Sequence, residues 1–116
     1  MAQEIDNKLE QLKTLLAELG ATERYNMFVV LEDSRQEVTM SGLRGKASDI
    51  KGALCHAYDN DIHGFKIAVL SVLTYAIAYN TLEMNGELYN KILSLMYETI
   101  AAREKEIQQQ NEEDNG

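Results

Sequence analysis

Ile5, Leu9, Leu12, Leu16 and Leu19 recur at alternating steps of four and three, with charged residues between them. That spacing predicts a helix with a narrow apolar seam along one side, closed by Gly20. The seam needs a partner surface, either the body of the same domain or the same helix of a second copy. Tyr25 to Glu32 (YNMFVVLE) is rich in aromatic and β-branched residues, and Glu37 to Ser41 alternates Val38 and Met40 with polar neighbours. These predict two strands of a hairpin, joined through Asp33, Ser34, Arg35 and Gln36. The unbroken Met27 to Leu31 run sets apolar side chains on both faces, more than an isolated two-stranded hairpin can cover. One face is expected to rest on helices, and the other on the N-terminal seam or a second subunit.

A further helix is expected from Ser48, which serves as its cap, with Asp49 in the first turn and Ile50, Leu54, Ala57 and Tyr58 at helical spacing. Asp59, Asn60 and Asp61 interrupt it. The next helix, Ile62 to Tyr79, is apolar on nearly every side from Ile67 onward, the pattern of a central hub enclosed by other elements. After Asn85 and Gly86, a long helix keeps Leu88, Ile92, Leu95, Met96, Thr99 and Ile100 on one face. Beyond Arg103 the chain turns polar, with Ile107 its single large apolar residue, so 104–116 is expected to fray into solvent. The predicted architecture is α+β and mainly helical: one domain over 1–103, built of an N-terminal helix, a hairpin and three helices. A homo-oligomer is expected to cover the hairpin's second face and the leucine seam.

Composition narrows the function classes. The chain has 116 residues, 45% hydrophobic and 26% charged, as in an ordinary globular domain. Its net charge of -8 disfavours direct binding to nucleic acid or to an anionic membrane, both of which are driven by lysine and arginine. The charge is uneven: eight acids face four bases in Met1 to Glu37, and eight face three in Thr81 to Gly116. Gly42 to Lys66 holds four bases and three acids, and is the stretch where an anion is locally welcome. The single cysteine, Cys55, excludes an intramolecular disulfide, and the start of the chain does not resemble a secretory signal, so a cytoplasmic setting is expected. The uncharged Ile67 to Asn80 stretch is shorter than the ~20 residues of a membrane span.

Three constellations could carry chemistry. In Gly42 to Asp49 (GLRGKASD) a strand ends, two glycines free the backbone and a helix begins, with Arg44 and Lys46 beside its N-terminus. Free N–H groups and a positive dipole end there suit a phosphate, with Gly42, Arg44, Gly45, Lys46 and Ser48 as its cradle. The spacing departs from a nucleoside-triphosphatase loop, because only two residues separate the glycines and Ala47 parts Lys46 from Ser48; a glycine-assisted turn followed by an ordinary helix cap is the simpler explanation. Tyr75 and Tyr79, one turn apart, could stack on a flat base if they share that pocket. Cys55, His56 and His63, interspersed with Asp59 and Asp61, match no usual zinc spacing and lack an evident oriented base. No enzyme, metal or cofactor is therefore expected.

A short acidic chain with a hairpin, a Gly42–Gly45 turn opening a helix and no catalytic motif resembles, in layout, the small accessory proteins of bacteriophages and mobile elements. That resemblance implies an inhibitory or sequestering role against a host system. Under it, the first expectation is a sponge for a phosphate-bearing small molecule, such as a nucleotide-derived immune signal. The alternative is an inhibitor or adaptor that docks an acidic helix surface, around Glu10, Glu18 or Glu98, on a host protein.

Overall fold

A computed structural model describes residues 2–35 and 39–115. The order is helix α1 (Ala2–Ala21), strands β1 (Met27–Glu32) and β2 (Thr39–Arg44), then helices α2 (Ala47–Asn60), α3 (Ile62–Ala78) and α4 (Glu87–Asn115). The α+β, mainly helical class and the sequence of a helix, a hairpin and three helices are as expected. Glu37 and Val38 of the second predicted strand lie outside the described residues. Where one core was expected, the packing falls into two compact units, Met1–His56 and Ala57–Gly116.

In the first unit, β1 and β2 pair antiparallel, from Met27 opposite Arg44 to Glu32 opposite Thr39. Strand β2 therefore runs three residues beyond the expected end at Ser41. Gly42, Leu43 and Arg44 extend because Met27, Phe28 and Val29 need backbone partners, and a continued ladder supplies them. The residues of α1 that turn inward are the half-buried Leu9, Lys13 and Leu16 and the buried Gly20. They lie over Met27, Val29 and Met40, the hairpin face they share two clefts with. Gly20 does not end the helix, which continues to Ala21. Thr22 closes the last turn, its N–H and its hydroxyl both donating to the Leu19 carbonyl at 3.2 and 2.7 Å. Helix α2 starts at Ala47, one residue ahead of the expected cap at Ser48. Its first bonds run from the Asp49 and Ile50 N–H groups to the Lys46 carbonyl.

In the second unit, α3 and α4 form a helical pair. Asp61 caps α3, its carboxylate accepting from the His63 N–H at 3.0 Å, which is the boundary role expected of the aspartates. The helix ends on Asn80 at φ 57°, with Asn80 N–H donating to Ile77 and Thr81 N–H to Ala76, a paired closure that needs a left-handed residue. Arg103 of α4 donates to the Asp59 carbonyl at 3.2 Å and to Glu106 at 3.1 Å, tying α4 to the end of α2. Beyond it, the polar 104–115 stretch is helical rather than frayed. Extending an existing helix needs no new nucleus, and Glu, Lys and Gln propagate it well.

The buried hydrophobic residues among those described are Ile50, Leu73 and Met96. The chain exposes 9788 Å², whereas two separate compact domains of half its mass would together expose roughly 7,700 Å². Helix α3 is accordingly not an enclosed hub, because Ile67, Val72 and Tyr75 are each 67% exposed.

Candidate functional site

The Gly42 to Ser48 stretch does not make a single cradle. Gly42 and Arg44 are strand residues, Gly45 is the turn, and Lys46 and Ser48 open α2. Gly45 has φ 116°, and a side chain there would also collide with the Asn26 carboxamide, so glycine is required by the turn itself. Arg44 has a structural partner: its Nε donates to the Gly20 carbonyl at 2.7 Å. A cation at the negative end of α1 satisfies a terminal carbonyl and complements the helix dipole. The Arg44 side chain and Met27 are the nearest neighbours of Gly20, at ordinary contact distance from where a side chain would begin. No local sequence signal marks that bond, whose partners are 24 residues apart.

Two of the expected residues do share a cavity. Gly42 and Arg44 line an open cleft of about 300 Å³ between α1 and β2, together with Lys13, Ser41 and apolar side chains including Leu16 and Met40. Space above Gly42 is empty to 4 Å. Lys13 is drawn toward Glu10 at 3.3 Å, an exposed pair that holds it weakly. The cleft thus has two bases over an apolar floor. Lys46, Ser48 and the tyrosines are not among its lining residues. Lys13 was not expected in this role, since it reads as one of the solvated charged residues between the seam positions of α1.

Tyr75 and Tyr79 do share a side of α3, with ring centroids 4.8 Å apart and planes inclined by 42°. Hydrogen bonding with the Tyr79 side chain, and to a smaller extent desolvation, raises the Tyr75 pKa above the ordinary phenol value. Both tyrosines belong to the second unit, and both are about two-thirds exposed.

Cys55 is an exposed free thiol, and His56 and His63 are exposed. Among the described residues, no three His, Cys, Asp or Glu side chains gather into a group that could hold a metal. Nor is any described helix long and apolar enough to cross a membrane.

Comparison with family models, curated proteins and solved structures finds no match for this chain. Its own surface is therefore the guide. On the hairpin, the face turned away from α1 carries Phe28, Val30 and Leu43 at 56, 64 and 66% exposure. Ile5, Leu12, Leu15 and Leu19 are also exposed, so α1 divides its seam: Leu9 and Leu16 turn to the hairpin while a parallel row stays open. A two-stranded sheet with one uncovered apolar face, beside an uncovered leucine row, has the composition of a binding surface.

Proposed function

We propose that this protein acts without catalysis, by docking a protein partner on the apolar hairpin face of its first unit. The observation that carries this reading is the open Phe28, Val30 and Leu43 face, which stands on the two-stranded sheet on the side away from α1. The stretch Met1 to Glu37, which supplies strand β1 of that face, is acidic, with eight acids to four bases. An apolar centre in an acidic field selects a partner with an apolar patch rimmed by lysine and arginine: burial supplies the affinity, and charge steers the encounter. Blocking such a patch is how a small accessory protein inhibits or redirects a larger one.

The test is quantitative affinity capture with the wild-type chain and with Phe28→Asp and Leu43→Asp. Both side chains are solvent-exposed, so the variants are expected to keep wild-type circular dichroism. A partner retained by the wild type and lost from both variants supports the reading; identical capture by all three chains overturns it.

The Arg44 cleft favours a second reading, the sequestration of a phosphate-bearing small molecule. Its support is the pairing of Lys13 with Arg44 at one cavity, over the empty space above Gly42. Native mass spectrometry with a panel of linear and cyclic nucleotides tests it. Lys13→Ala is a cleaner probe than Arg44→Ala, because Arg44 also caps α1. Bound nucleotide mass that disappears in Lys13→Ala supports this reading, and no added mass sinks it.

A further inference from the structure

The outer surface of α3 differs from every other exposed helix surface in the chain. Ile67, Ser71, Val72, Thr74, Tyr75, Ala78 and Tyr79 are its exposed positions along the Ile67–Tyr79 stretch. At 100° per residue they fill one continuous arc of a little under half the circumference, with Ser71 and Tyr75 near its centre. None of them is charged. By contrast, exposed α1 carries Glu4, Asp6, Lys8, Glu10 and Glu18, and exposed α4 carries Glu87, Lys91 and Glu98. In a chain that is 26% charged, more than three turns of uncharged exposed helix is not a solvated surface.

Two of the polar side chains on this arc, Ser71 and Thr74, are already prepared for burial. The Ser71 hydroxyl donates to the Ala68 carbonyl at 2.7 Å, and the Thr74 hydroxyl to the Leu70 carbonyl at 2.8 Å. Covering them leaves no donor unpaired, so the usual penalty for burying a hydroxyl is avoided. An apolar groove of about 360 Å³ continues the arc past Val72, lined by Phe65, Val69, Leu73 and Ile92.

We propose that a second copy of this chain covers this arc, the two α3 helices packing against each other about a two-fold axis. Three observations single out that occupant. First, every copy carries a charge of -8, so self-association is opposed least where neither copy presents an acid, and the arc is such a place. Second, an isologous contact needs a self-complementary surface. The Tyr75 and Tyr79 rings and hydroxyls, which stack on and donate to or accept from their own kind, provide one, whereas a patch of one charge sign does not. Third, Ile67, Val72, Tyr75 and Tyr79 are each about two-thirds open, and large apolar and aromatic side chains of this kind make up the core of stable interfaces. Ser71, Thr74 and Ala78 are small enough for the helix axes to approach closely. With α4 behind each α3, the pair becomes a four-helix arrangement. This assignment is independent of the hairpin reading above, because the two surfaces belong to different units.

Sedimentation equilibrium on the full chain is the test. The wild type is expected to run at twice its 13.1 kDa mass in the micromolar range. Tyr75→Asp sets an acid near its symmetry mate at the centre of the arc, and Val72→Asp places one at its apolar edge; each is expected to weaken association roughly a hundredfold or more while leaving helicity unchanged. In a Cys55→Ser background, Ser71→Cys is expected to form an intermolecular disulfide on oxidation. A wild type that stays at 13.1 kDa throughout the range overturns the proposal. So does a dimer that survives both α3 variants, including one that dissociates instead in Phe28→Asp.

Discussion

Single residues in this protein have roles set by backbone geometry more than by side-chain type, and the glycines make the point. Gly45 sits at φ 116° against Asn26, so Gly45→Ala is expected to cost ~1–2 kcal/mol or more in chemical denaturation. Gly20 lies inside α1, and a methyl group there would meet Arg44 and Met27 at ordinary contact distances of 3.5 to 3.7 Å. Gly20→Ala is therefore expected to stabilise the fold by about 0.5–1 kcal/mol, read as a higher denaturation midpoint. Both glycines look alike in sequence, since each borders an element, and only the φ angle and the neighbouring atoms separate them. Tyr75 offers a chemical reporter. Tyr79 holds the neutral Tyr75 phenol in place and raises its pKa, so the preference is complete below the ordinary tyrosine range and is lost as pH rises through the raised value. Tyr79→Phe should bring the Tyr75 titration, followed by NMR of labelled tyrosine, down toward the ordinary phenol pKa.

Elements were legible where local chemistry alone decides them. The Asp59–Asp61 break between α2 and α3 is one example, because Asp61 needs only the neighbouring His63 N–H to act as a cap. Asp61→Ala is expected to cost ~1 kcal/mol, measured as a loss of urea stability. The N-terminal helix and the hairpin strands were legible for a similar reason, their periods being written into Leu9–Leu16 and Met27–Leu31. Element ends were not. Strand β2 continues to Arg44 because β1, a separate stretch of chain, presents Met27, Phe28 and Val29 for pairing. Helix α4 continues to Asn115 because a helix already formed propagates through polar residues, a cooperative effect that hydrophobic patterning does not register. The Arg44 bond to Gly20 was invisible for the same kind of reason, joining two positions that no short window contains.

At the scale of the whole molecule, the outstanding property is unburied apolar surface: the hairpin face, the open leucine row of α1 and the arc of α3. If two copies cover the α3 arc, the folded dimer is favoured by mass action. The melting temperature of the wild type should then rise with protein concentration, while that of Val72→Asp should not, as scanning calorimetry would show. By itself, the sequence determined the class and order of the elements, the acidic charge, and the apolar seam and strand run that need cover. These are properties of composition and of short-range period, which act within a few residues of chain. Only the tertiary structure decided which apolar faces are left open, that Arg44 closes α1, and that the apolar helix α3 is exposed where an enclosed hub was expected. Burial depends on which distant segments meet, and hydrophobicity states that a side chain needs cover without stating what covers it.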